Sequence, residues 1–452
     1  MASVPPAAGG EARLAQGPGF SLNRAMSPPK LHAPWRRNIL FLTLIRINFS
    51  MMFAVPVIAL YWKGNGLSVL DIFLLQAVFS FTVVLLEIPT GFLGDRLGRK
   101  RTILLSAAVH VAGWLLYAAA RSFWFFAIAE ITLGLSVALL SGTDSSFVFE
   151  SLAAMKREDF YSKIEGRILG LHHLGAAVSS VAGGVLAAFV PVWWLMTGTA
   201  ALAAVSFMLA LGLREPVRET YRHPRGTWYG FYKILRYVFL KSKIVRAALP
   251  LLAACSLATM LGVWLYQPFW EARAVPVWLF GVLWASLFLP SSLGSHFAHK
   301  LEKFVGRRAI IFLLPLPPLL GYCLAALLPG YWALAPIYLV NLLYGMAPPI
   351  LGRYIQEETH SDKRATVFSI GSFVFRIAYC GCGPLVGLVA KNAGLEPAFL
   401  VSAGIGVSCI LLLIPFFLHK LKNWPESPSG KDVVRPAKTA TADRGETFRT
   451  PD

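Results

Sequence analysis

Residues 91–101 read GFLGDRLGRKR, in which Gly91, Gly94 and Gly98 are spaced around one carboxylate, Asp95, and four cations, Arg96, Arg99, Lys100 and Arg101. Apolar runs flank this stretch at 68–92 and 101–120, each long enough for an α-helix, rising ~1.5 Å per residue, to cross ~30 Å of hydrocarbon. Every residue type in the stretch suits a short connection between two membrane helices. Glycine lets helix ends approach through a tight turn, Asp95 can sit against the positive N-terminus of a neighbouring helix, and the cations can anchor to anionic headgroups. An ordinary basic loop would account for the cations but not for the glycine spacing or the lone carboxylate.

The alternation of apolar block and short charged loop fills most of the chain. Of 452 residues, 56% are hydrophobic and 14% charged, and the mean hydropathy is +0.60. A soluble fold could carry that balance only behind amphipathic outer helices, which are almost absent. Backbone in lipid must satisfy its own hydrogen bonds, so the spans are predicted as helices. They fall at 38–61, 68–92, 101–120, 123–147, 168–190 and 192–213, then at 245–266, 275–297, 309–328, 332–351, 365–390 and 395–418. The fold class is therefore all-α integral membrane, with twelve transmembrane helices in two pseudo-symmetric six-helix bundles, 38–213 and 245–420. Residues 214–244 form a basic interdomain loop in which Tyr232, Leu235 and Phe239 suggest an amphipathic helix on the headgroups. The polar, Pro-containing stretches 1–37 and 421–452 are expected to be disordered tails, the first without a signal-peptide core.

A formal charge of +19 would fit a nucleic-acid partner if the cations were clustered. They alternate by loop instead. One set of loops carries Arg96 to Arg101, then Lys156, Arg157, Lys163 and Arg167, the central loop, Lys300 to Arg308, and Lys363 with Arg364; the other carries little beyond Lys63, Arg121, Arg273 and Lys391. The positive-inside rule then places both termini in the cytoplasm and the protein in the cytoplasmic (inner) membrane. Cys255, Cys323, Cys380, Cys382 and Cys409 are odd in number and all intramembrane, so neither a disulfide framework nor a metal site is suggested.

The 91–101 stretch resembles the loop between helices two and three of the major facilitator superfamily and matches it at every position. A weaker echo lies one half later at Gly294, Ala298, Lys300, Gly306, Arg307 and Arg308, with no acidic residue where Asp95 would fall and a few extra residues inserted. The echo implies an internal repeat whose second loop has lost part of its latch. The stretches EIPTG (87–91), SGTDSSFVFESL (141–152) and RATVFS (364–369) are similar to those of a bacterial branch whose members mostly lack an assigned substrate. The resemblance covers 38–420 and implies fold and broad activity, not cargo.

Charge in hydrocarbon costs at least about 2.5–3.5 kcal/mol per group, so each intramembrane ionisable residue needs a partner or a use. Counting along the spans places Asn48, His110 and Arg376 roughly 13–18 Å from the cytoplasmic helix ends, near the midplane. Glu87 and Asp144 count to within about 10 Å of that face, with Arg46 slightly deeper. Arg376 cannot lose its charge and is the first candidate for a substrate contact, favouring a carboxylate or phosphate unless Glu130 or another acid neutralises it. Asn48, His110, Asn341 and Tyr379 are further substrate-binding candidates, although a lone histidine on an apolar helix is more often a packing residue. Gln76 and Gln267 offer hydrogen bonds; Trp264, Tyr266 and Tyr344 offer a cavity wall or an interfacial belt. Glu87, Asp144, Arg46 and Glu130 are candidates for proton coupling or gating. The resemblance implies that an acid at the inner end of helix four, Asp144 or Glu150, pairs with Arg99 to hold the inner gate shut.

Glycine-rich positions, Gly183 with Gly184 and Gly381, Gly383, Pro384 and Gly387, fall at corresponding places in the two halves and permit close crossing or bending. The expected activity is secondary transport of a small organic solute by alternating access, driven by protons and directed outward, with uptake of an anionic solute as the alternative. The chain is expected to act as a monomer among membrane lipids, without cofactor or metal. No Gly-x4-Gly-Lys-Ser/Thr loop supports ATP drive, and no His-Glu-x-x-His or Gly-x-Ser-x-Gly supports an integral membrane enzyme. A transporter-shaped sensor would bind ligand without flux.

Overall fold

The structure is a computed structural model that describes residues 33–216, 242–359 and 364–422. Every regular element among them is helical, and twelve helices are long and apolar enough to cross a membrane. They are α1 (Trp35–Gly64), α2 (Val69–Leu97), α3 (Arg99–Ala119), α4 (Phe123–Ala153), α5 (Glu158–Leu186), α6 (Val192–Leu211), α7 (Val245–Ala272), α8 (Val277–Val305), α9 (Arg307–Leu327), α10 (Gly330–Glu358), α11 (Val367–Ala393) and α12 (Leu395–Leu421). All twelve predicted spans are present. Several helices run further than hydropathy indicates on the side of the basic loops, α5 beginning ten residues early. Hydropathy reports the stretch that meets hydrocarbon, whereas the hydrogen-bonded backbone continues into polar surroundings. The first helix likewise begins at Ala33, inside the stretch expected to be a tail. The remaining tails and the interfacial helix expected around Tyr232, Leu235 and Phe239 lie outside the described residues.

The internal repeat is visible in register. An offset of 208 residues carries Val69–Leu97 onto Val277–Val305 and Arg99–Ala119 onto Arg307–Leu327. The insertion expected in the second loop does not exist. Gly98 (φ +99°) and Gly306 (φ +85°) occupy equivalent turns with nearly the same left-handed backbone, which a side chain would strain.

The halves meet along two seams, α2 against α11 and α5 against α8, with α1 against α7 on the side opposite the basic loops, here the far side. There α1 is broken between Met51 and Val57, where Pro56 enters a short 3-10 turn. Gln267 of α7 uses this break, donating from Nε2 to the Val55 carbonyl at 2.8 Å and accepting from the Ala59 amide at 2.9 Å. One side chain thus satisfies two freed backbone groups and ties the halves together. Trp62 packs on Trp264 with ring centroids 5.6 Å apart, and Lys63 pairs with Glu271 at the rim. Toward the basic side the α5–α8 seam loosens. Between Tyr161 and Leu174 of α5 only Ile168 is buried, whereas Gly183 and Gly184 are packed tightly.

Candidate functional site

The signature loop is held from two directions. Arg99 lies 3.2 Å from Asp95, one turn before it, and 3.3 Å from Glu150 of α4. Of the two acids expected opposite Arg99, Glu150 makes the pair and Asp144 does not. The pair joins α3 to α4 within the first half and does not bridge the halves. The anion at the α3 N-terminus is also different from expectation: Glu215, beyond α6, accepts from the amides of Arg99 and Lys100 at 2.7 and 2.8 Å. A carboxylate on exposed helix-terminal amides complements the positive end of the dipole. Asp95, exposed on the last turn of α2, takes the cation instead.

The second loop has no acid at the Asp95 position, as expected, but it carries an ion pair of its own with the signs exchanged. The offset of 208 places Glu302 where Gly94 stands and Lys303 where Asp95 stands. Glu302, only 6% exposed, is 2.6 Å from Arg353 of α10. The acid now sits on the loop-side helix and the base on the partner helix, the reverse of Arg99 and Glu150. A motif search for an acid at the Asp95 position cannot find this arrangement.

Asp144 belongs to another cluster. Gly142 (φ +70°) breaks α4 just before it. Arg46 of α1 spans two carboxylates, its Nε 3.1 Å from Asp144 Oδ2 and its Nη1 2.6 Å from Glu165 Oε1 of α5. Glu165 escaped the sequence reading because it precedes the hydropathic part of α5, and its second oxygen is buried with no hydrogen-bond partner among the described residues. His172, about two turns further along α5, contacts the Arg46 carbonyl through Nδ1 at 3.2 Å.

Glu87 and Arg376 had been expected in separate layers, and the structure puts them at one seam. Because α2 continues to Leu97, Glu87 lies ten residues inside the helix end, about 15 Å deep and close to the level of Arg376. Each falls in the electrostatic field of the other, and among the described residues no direct ion pair joins them. Glu87 instead accepts from the Ser141 hydroxyl at 3.3 Å; Arg376 donates from Nε to Ser372 Oγ at 3.3 Å and lies 5.9 Å over the Phe79 ring.

Glu130 does not neutralise Arg376. It is seven residues from the far-side end of α4, whereas Arg376 is seventeen from that end of α11, a depth difference of about 15 Å. Glu130, 4% exposed, accepts from Gln76 Nε2 at 2.7 Å and from the Tyr117 hydroxyl. Tyr379 of α11 is fully buried within the field of Glu130, its hydroxyl without a hydrogen-bond partner among the described residues. His110 is packed away from any cleft: it stacks on Phe49 at 4.1 Å and accepts from Trp114 Nε1 at 3.2 Å. Asn341 donates to its own helix at Ile337, and Asn48 is half-buried. Tyr266 is buried, while Tyr344, 54% exposed, faces outward.

These features define a multi-pass helical membrane protein of two repeated halves, joined on the far side and carrying a charged seam between them. Residues 40–382 match the family model described as Major Facilitator Superfamily, and the chain belongs to that superfamily of secondary transporters. It is 19% identical to Quinolone resistance protein NorA of Staphylococcus aureus (strain MRSA252) over 399 residues, 85% of this chain and 97% of that protein. It is 21% identical over 374 residues to the uncharacterized MFS-type transporter YxaM of Bacillus subtilis (strain 168), covering 81% of this chain and 90% of that one. The solved structure of the nucleoside transporter NupG aligns with a TM-score of 0.67 at 12% identity over 85% of this chain and 99% of that chain, a likeness of fold.

Proposed function

We propose that the protein exports a small organic solute across the cytoplasmic membrane in exchange for protons, the two halves rocking to open one side at a time. The observation that carries the proton part is the environment of Glu130. Its two hydrogen-bond donors, Gln76 and Tyr117, are neutral, so Glu130 can gain or lose a proton without breaking an ion pair, as Asp144 beside Arg46 cannot. An uncompensated intramembrane carboxylate costs at least about 2.5 kcal/mol, and a fold keeps one where its protonation does work. Opening the far side draws α11 and Tyr379 away from α2 and α4 and admits water to Glu130. In this cycle the charge asymmetry of the loops turns the basic side to the cytoplasm, and the looser α5–α8 seam on that side makes this the loading conformation. Likeness to a protein named for quinolone resistance supports outward transport. Uptake of an anionic solute is the second reading, favoured by Arg376 at the seam.

The test is reconstitution in liposomes under an imposed pH gradient, with a fluorescent quinolone as first cargo. Native protein is expected to move cargo against proton flow; Glu130→Gln is expected to exchange cargo between the two sides while moving no protons. Native proton movement by Glu130→Gln would refute the assignment, and binding without counterflow would mark a sensor.

A further inference from the structure

An apolar groove of about 590 Å³ opens on the outer face of the α2–α11 seam, bounded also by α4. Its walls include Leu74, Val78, Phe81 and Leu85 of α2 and Cys380 and Pro384 of α11. Phe81 and Leu85 are 53% and 55% exposed, and on the outer face of a membrane helix that exposure is to hydrocarbon. The groove is within the roughly 300–1,000 Å³ of small-molecule sites, and it straddles two helices from different halves. At its floor the Cys380 thiol donates to the Ala77 carbonyl at 3.4 Å.

Arg376 precedes Cys380 by four residues and so shares its face of α11, one turn nearer the basic side. The guanidinium there has Ser372 and the Phe79 ring as contacts and Glu87 within its field, without a direct carboxylate contact among the described residues. A planar fork held this way is suited to receive a two-oxygen anion. From this juxtaposition we infer that the groove is the entry route for a monoanionic carboxylate amphiphile, whose hydrocarbon tail lies in the groove while its head supplies the direct carboxylate contact that Arg376 lacks. A cationic amphiphile would meet Arg376 with the wrong sign, and a polar solute has no use for an apolar wall. The inference rests on the transport reading above and narrows its cargo. A bilayer lipid tail could also fill the groove, but it would do so without needing Arg376.

The full chain in nanodiscs of zwitterionic phosphatidylcholine, with cis-parinaric acid as probe and energy transfer from tryptophan as signal, tests this. The acid is expected to bind saturably, its methyl ester about tenfold more weakly, and hexanoate, which has the head without the tail, to compete poorly. Arg376→Gln should erase the preference for acid over ester. Glu87→Gln should tighten acid binding severalfold, because it removes the competing carboxylate; a merely structural role for Glu87 predicts no gain. Val78→Trp should fill the groove and weaken acid and ester alike, and if that variant does not fold, the comparison of acid, ester and hexanoate on native protein decides. Equal binding of acid and ester would mean that bilayer-type apolar solvation alone fills the groove and would overturn the proposal, as would hexanoate competing as well as parinarate. Proton exchange that still depends on Glu130 while parinarate fails to bind would remove the groove alone; parinarate binding that persists while proton exchange proves independent of Glu130 would remove the proton reading alone.

Discussion

Gly184 of α5 and Gly281 of α8 meet backbone to backbone across the halves: a Cβ on Gly184 would lie 2.4 Å from the Gly281 amide nitrogen, and one on Gly281 would lie 2.1 Å from the Ser180 carbonyl oxygen. Gly387 makes the matching approach at the other seam, where a Cβ would lie 2.9 Å from Phe73 and 3.1 Å from Leu70. Neither neighbour at the α5–α8 contact is a flexible side-chain end, so nothing there can yield cheaply. Gly184→Val is therefore expected to fold but to be unable to close the far side. Spin-label distances between α1 and α7 on that side should lengthen and transport should fall by about tenfold or more; unchanged distances would show that the seam does not gate.

Arg46 neutralises two acids at once. Arg46→Gln leaves Asp144 and Glu165 facing each other without a cation and should cost about 3–5 kcal/mol, the penalty of breaking a buried pair. Asp144→Asn keeps the shorter Arg46–Glu165 contact and should cost about 1 kcal/mol. Thermal unfolding in detergent compares them directly, and equal losses would contradict the shared-cation geometry.

The sign-exchanged pair of Glu302 and Arg353 makes a charge-swap prediction. Glu302→Arg and Arg353→Glu should each lower activity and stability, because each leaves like charges at 2.6 Å spacing in a half-buried site. The double swap should recover most of the loss. Recovery no better than either single variant, measured as solute uptake into vesicles, would assign the pair no role beyond surface charge.

Glu215 ties the end of the first half to the start of α3. Glu215→Ala removes the acceptor from two helix-terminal amides and should lower stability by about 1 kcal/mol. Glu215→Gln, which keeps one acceptor oxygen and loses the charge, should lie between. Hydrogen exchange at Arg99 and Lys100 reports the effect locally; protection unchanged in Glu215→Ala would mean that another group caps the helix.

What could be read from the chain and what could not follows from the range of each interaction. Membrane spans are local properties, since burial in lipid depends on twenty neighbouring residues and not on partners. Even so, α5 was started ten residues late and Glu165 fell outside it, because helices continue past the apolar stretch. Signature-loop residues are legible by spacing, but spacing does not show what meets them: Glu215 and not Asp95 caps the α3 N-terminus, and in the second loop Glu302 and Arg353 carry a pair with signs exchanged. Depth counting separated Glu87 from Arg376 because it started from an assumed helix end at Phe92 rather than Leu97.

The sequence by itself determined a membrane protein of twelve helices, their repeat, and the set of charged residues that must be explained, because the cost of placing a charge or a bare amide in lipid is set residue by residue. Tertiary structure alone decided which charges meet: Arg46 with Asp144 and Glu165, Arg99 with Glu150, Glu302 with Arg353, and Glu130 with neutral donors only. The reason is geometric, since pairing depends on helix rotation and crossing, which are set by packing at contacts such as Gly184 on Gly281 and leave no periodic trace along the chain.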